Sequence, residues 1–89
     1  MDGHIESSIA NTSCGAIEYT WLGKGPVVLV SHGTSSNCFS VQGAEPLLKA
    51  GFSVLTPSRP GYGRTPLKVG ASAAQAAKAM VALLDTLKI

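Results

Sequence analysis

The segment His32-Gly33-Thr34-Ser35-Ser36-Asn37-Cys38 gathers most of the residues in this 89-residue chain whose types could do chemistry. A histidine beside hydroxyls suggests a general base and a nucleophile, because serine attacks well only when a neighbouring base takes its proton. That pairing needs an acidic group to orient the imidazole. Asp2, Glu6, Glu18, Glu45 and Asp85 sit in segments with no evident route to His32. Ser35 and Ser36 therefore read as loop or capping serines, and Asn37 as a turn or N-cap residue. His32 reads as loop architecture, holding a neighbouring loop by hydrogen bonds. Gly33-Thr34-Ser35-Ser36 could instead turn N–H groups toward a phosphate. Neither G-x-G-x-x-G nor G-x-x-x-x-G-K-S/T follows a strand, which argues against a nucleotide. Cys14 and Cys38 form no C-x-x-C, and His4 and His32 are the only histidines, so no metal is expected. Cys38 reads as a small buried hydrophobe.

The elements that must position this segment follow from hydropathy. Val27–Ser31 is a short, β-branched, unalternated apolar run, the pattern of a strand covered on both faces. Residues 4–9 and 16–22 read as an antiparallel hairpin around Asn11-Thr12-Ser13-Cys14-Gly15, with Ile17, Tyr19 and Trp21 alternating with Glu18, Thr20 and Leu22. Trp21 reads as hairpin packing. Gly23-Lys24-Gly25-Pro26 breaks the chain and turns it inward. A helix is predicted over 41–50, with Pro46 either in its first turn or ending a preceding turn and Gly51 ending the helix, then a strand over 52–56. Strand, helix and strand at this spacing make a βαβ unit. The Pro- and Gly-rich stretch 57–70 reads as loop. Ser72 and Gln75 form a capping box for a helix over 72–88, whose apolar stripe reads Ala73, Ala76/Ala77, Met80, Leu84 and Leu87.

Composition narrows the class. With 45% apolar and 13% charged residues the chain is too hydrophobic and too weakly charged for disorder, and it suits the interior of a larger globular protein. The net charge of +2 comes from scattered basic residues without aromatic interleaving, so no nucleic-acid partner is expected. The N-terminus lacks the basic start and apolar core of a signal peptide. No apolar run approaches the roughly 20 residues that span a bilayer, so no membrane partner is expected. Two cysteines without a motif fit the reducing cytoplasm.

Taken together, the chain resembles the N-terminal part of the α/β-hydrolase family. The resemblance rests on the hairpin, the strand ending in His32-Gly33, the strand leading to Ser58-Arg59-Pro60-Gly61-Tyr62-Gly63, and the alanine/leucine helix, in that order, and covers residues 4–89. It implies an α/β fold: a β-hairpin, then a βαβ unit with parallel strands and a further helix, forming an incomplete sheet within residues 1–89. It implies that the backbone N–H of Thr34 is an oxyanion-hole donor, with His32, Gly33 and Ser35 shaping that loop. Arg59, Gly61 and Gly63 match the family's structural turn, with Arg59 tying loops together by charge-assisted hydrogen bonds. Tyr62 reads either as an edge of a substrate pocket or as a packed tyrosine. The parent protein is expected to hydrolyse an ester, amide or related bond of a small molecule through a Ser-His-acid triad, without cofactor. The nucleophile motif G-x-S-x-G is absent from these residues. The expected partner is therefore the missing C-terminal part of the same fold. In that fold the strand at 27–31 lies beside the nucleophile strand, so the isolated 89 residues are expected to aggregate along an unpaired apolar edge and to lack esterase activity. Dehalogenase- and peroxidase-like members share these early motifs. After His32-Gly33 the sequence Thr-Ser-Ser-Asn-Cys-Phe departs from the Gly- or Pro-rich loop of many relatives. The alternative is a non-catalytic, truncated binding or interaction module.

Overall fold

Thr12 decides where the first turn falls. Its hydroxyl donates to the Gly15 carbonyl at 2.7 Å and accepts from the Cys14 N–H at 3.1 Å, so only Ser13 and Cys14 remain between the strands. The first strand, β1, accordingly runs Ser8–Thr12, later than the predicted 4–9, and pairs antiparallel with β2, Gly15–Leu22. Gly15 has φ +123°, and a Cβ there would come within 2.9 Å of the Val69 side chain. The computed structural model describes residues 6–32, 37–39, 44–70 and 72–89, so positions 4 and 5 of the predicted strand lie outside them.

Strand β3, Val27–Leu29, is two residues shorter than predicted. The Val30 N–H still reaches the Leu55 carbonyl at 2.9 Å, after which His32 engages Arg59 instead of the ladder. Helix α1 runs Ala44–Lys49, and positions 41–43 of the predicted helix fall outside the described residues. Pro46 sits in its first turn, where no N–H is needed, and its carbonyl accepts from Ala50. The helix ends in a paired cap: Gly51 N–H to Leu48 and Phe52 N–H to Leu47, with Gly51 at φ +94°. Strand β4, Ser53–Pro57, begins one residue later than predicted because the Phe52 N–H is spent on this cap.

The sheet order is β1-β2-β4-β3, with β4 antiparallel to β2 and parallel to β3. Every residue of the central strand β4 is buried. On one face Ala10, Ile17 and Leu55 pack with Val69, Ala79 and Leu83. Val69 comes from a short 3-10 helix, Leu67–Val69, inside the stretch predicted as loop. Three residues are too few to show a period.

Helix α2, Ala73–Thr86, starts at the predicted capping box: Ser72 Oγ accepts from the Gln75 N–H at 3.1 Å, and Gln75 Oε1 accepts from the Ser72 N–H at 3.2 Å. Its buried face is Ala79, Ala82 and Leu83, with Met80, Leu84 and Leu87 half-buried beside it. The predicted stripe is thus corrected: Ala73 and Ala77 are exposed and, with Ala76, line an open cavity instead of the core, while Met80 borders both. Alanine is apolar enough to pass for core in a sequence pattern and small enough to leave a groove in the fold.

Leu83 is fully buried, whereas Val81 on the same helix is 57% exposed. Leu83→Ala is expected to cost about 3 kcal/mol of stability, and Val81→Ala about 0.5 kcal/mol or less, by urea unfolding. Equal losses would contradict this assignment of faces.

Candidate functional site

The parallel pair β3 and β4 releases two segments side by side at its carboxyl end: residues 30–32 and residues 58–60. In α/β sheets this end, just outside the strands, is where ligands bind. A cavity of about 400 Å³ lies there, between Leu29, Val30, Ser31, Pro57, Arg59 and Pro60 on one side and the Ala73–Met80 face of α2 on the other. Leu29 is 41% exposed at this edge.

His32 is buried at the rim, and its Nε2 accepts from the Arg59 N–H at 2.8 Å. Arg59 Nη1 donates to the His32 carbonyl at 3.4 Å. The Tyr62 ring meets the imidazole edge-on at 5.1 Å, and the Arg59 guanidinium lies 5.8 Å from the Tyr62 centroid. Thus His32, Arg59 and Tyr62 form one assembly, in which the imidazole lone pair is committed to a backbone donor. Gly33, Thr34, Ser35 and Ser36 lie outside the described residues. Beyond them, Asn37 Oδ1 accepts from the Phe39 N–H at 2.9 Å, a local turn. Cys38 is fully buried; its N–H donates to Ser58 Oγ at 2.9 Å, and its carbonyl accepts from Thr20 Oγ1 at 2.7 Å. Burial pushes its thiol pKa upward, so Cys38 has the character of an inert thiol.

Glu18 is the residue that sequence reasoning missed. The alternation in β2 sets it on the face opposite Ile17, and it is only 3% exposed. The turn 58–65 covers it. Oε1 accepts from the Arg64 N–H at 2.9 Å and Ser58 Oγ at 3.1 Å, and Oε2 from Arg64 Nε at 2.7 Å and Ser7 Oγ at 2.8 Å. Its backbone joins in: its N–H donates to Thr65 Oγ1 at 2.9 Å, and its carbonyl accepts from the Ser58 N–H at 2.7 Å. Burial raises the Glu18 pKa, but the donors from Arg64, Ser7 and Ser58 outweigh it and bring it from 4.5 to about 2. The turn comes this close because Gly61 and Gly63 have φ of +88° and +53°. A Cβ on Gly63 would press on Glu18 Oε1 and lie 2.7 Å from Ser58 Oγ. The available sequence signal was two closely spaced glycines beside an arginine; what it lacked was the pairing of β4 with β2, which brings the turn over Glu18.

Among the described residues no group of three His, Cys, Asp or Glu side chains could hold a metal ion, and no helix is long and apolar enough to cross a membrane. No protein-family model matches the sequence. The hydrolase YcgS of Bacillus subtilis (strain 168) is 49% identical over 75 residues, covering 84% of this chain and 26% of its own. An α/β-hydrolase-fold protein from Nakamurella multipartita superposes with TM-score 0.90 at 30% identity, over 94% of this chain and 29% of that one. An epoxide hydrolase from Vigna radiata superposes with TM-score 0.78 at 25% identity, over 96% and 29% of the two chains. The fold is that of an α/β hydrolase, of which this chain carries the N-terminal portion, with four strands of a mixed sheet. It spans about a quarter of the length of the curated hydrolase it matches.

Because the folded Glu18 pKa lies below its ordinary value, the unfolded chain binds the additional proton between about 4.5 and 2. The stabilisation is therefore full above pH 4.5 and falls as pH drops toward 2. Urea titrations across this range should show that slope in the wild type and a shallower one in Glu18→Gln; equal slopes would contradict the assignment. Gly63→Ala should cost about 1–3 kcal/mol through its left-handed backbone and the crowded carboxylate, by the same measurement. A cost below about 0.5 kcal/mol would show that the turn relaxes away from Glu18.

Proposed function

We propose that this chain is the part of an α/β hydrolase that shapes the acyl side of the active site, and that the whole protein hydrolyses an ester, amide or related bond of a small molecule. The observation that carries this reading is the placement of His32 against the turn 58–62 at the carboxyl end of the parallel pair, beside an apolar cavity. In the proposed reaction a serine outside these residues, activated by a histidine and an acid, adds its Oγ to the substrate carbonyl carbon. The carbonyl π pair moves onto oxygen, and the Thr34 N–H, with the N–H after the nucleophile, stabilises that oxyanion. Collapse expels the protonated alcohol or amine. Water then adds to the acyl-enzyme, and a second collapse releases the acid and restores the serine.

In this reading His32, Gly33 and Ser35 shape the donor loop, Arg59 with Gly61 and Gly63 makes the turn that braces it, and Tyr62 edges the pocket. No cofactor takes part. The two free cysteines, one of them buried, support a cytoplasmic location.

The test is made in the full-length protein with p-nitrophenyl esters. Thr34→Pro, which removes the backbone N–H, is expected to lower kcat about 100-fold or more. Thr34→Ala, which keeps it, is expected to stay within about threefold. Hydrolysis surviving unchanged in a folded Thr34→Pro variant would overturn the role of Thr34. No hydrolysis of any ester or amide by the wild type would overturn the reading itself.

A further inference from the structure

His32 and Cys38 are each held by a hydrogen bond, and both holds are mounted on one turn. At the first flank the Arg59 N–H grips His32 Nε2 at 2.8 Å. At the second, Ser58 Oγ accepts from the Cys38 N–H at 2.9 Å. Ser58 and Arg59 are adjacent, so whatever fixes one fixes the other. The same Ser58 hydroxyl donates to Glu18 Oε1 at 3.1 Å, and the Ser58 N–H donates to the Glu18 carbonyl at 2.7 Å. The far end of the turn is tied to the same residue through the Arg64 N–H, Arg64 Nε and Thr65 Oγ1.

We infer that Glu18 is a positioning residue for the active-site loop, acting through Ser58 and Arg59 on the two flanks of residues 33–37. This rests on the proposed function, for which that loop carries the oxyanion donor. Glu18 touches no substrate in this role. It is a buried anion on strand β2, and the turn that holds His32 and Cys38 is assembled around it. A catalytic donor needs such support because a small misplacement from the developing charge forfeits most of its effect.

The full-length protein supplies two independent readouts. The first is hydrogen exchange, by mass spectrometry, of peptides covering residues 30–39, 58–66 and α2. The second is the split between kcat and KM for a p-nitrophenyl ester. Glu18→Gln keeps the shape but replaces an acceptor oxygen by a donor. It is expected to speed exchange over 30–39 and 58–66 about tenfold while α2 stays protected, and to lower kcat about tenfold with KM within about twofold. Ser58→Ala removes only the shared hydroxyl and is expected to speed exchange over 30–39 with little change at Arg64.

Exchange over 30–39 that is unchanged in both variants, or that rises only in step with α2, would overturn the inference and leave Glu18 a general stabiliser. A loss carried by KM with kcat intact would overturn it equally. Because exchange does not depend on turnover, an inactive wild type would defeat the proposed function without defeating the clamp, and unchanged exchange in an active enzyme would do the reverse.

Discussion

A carboxylate taken out of water must be repaid by donors, and around Glu18 that requirement organises the structure. Side chains from before β1 and after β4 supply hydroxyls, and Arg64 supplies both a backbone N–H and a guanidinium. Removing one partner of such a buried set typically costs about 3–5 kcal/mol, because the remaining charge stays buried. The cluster therefore specifies more than it stabilises: one conformation of the turn satisfies Glu18, and that conformation places Ser58 and Arg59 against Cys38 and His32. Gly63 is a consequence of the same requirement, since a side chain there would occupy the space the carboxylate needs.

The other side of the sheet is built differently. There the core is apolar, centred on Ile17, Leu55 and Leu83, and ordinary area burial holds it. It stops at β3, the end of the strand order, where Leu29 is exposed and the alanine face of α2 leaves a groove. An apolar parallel edge strand with one partner is an unusual termination for a sheet. It agrees with a chain that spans 26% of one hydrolase relative and 29% of a structural one. The groove and the contact of His32 with the Arg59 N–H lie at the same end of β3.

The order of elements was legible because each carries a strong local signal. Val27–Leu29 reads as a strand from its β-branched run, but the expected cover on both faces is not found, since Val27 and Val28 are half-buried and Leu29 is exposed at the end of the strand order. Ser72 and Gln75 announce α2, and Gly51 ends α1 at the predicted place. What was not legible depended on tertiary pairing. The burial of Glu18 was not legible because alternation gives a strand two faces without saying what covers each. The alanines of α2 looked like core because periodicity reports hydrophobicity and not the partner. Val69 was hidden in a three-residue 3-10 helix. At the site, the sequence marks His32 as a loop histidine and Arg59 as part of a turn, and the structure joins them directly through the Arg59 N–H. The sequence contained no sign that Ser58 reaches Cys38.

We propose that these residues shape a serine hydrolase site whose nucleophile lies outside them. Labelling the full-length protein with a fluorophosphonate and mapping the adduct by peptide mass spectrometry tests it most directly. We predict a single modified serine outside residues 1–89, within a G-x-S-x-G sequence. An adduct on Ser31, Ser35 or Ser36, or a folded protein that takes up no label, would contradict it.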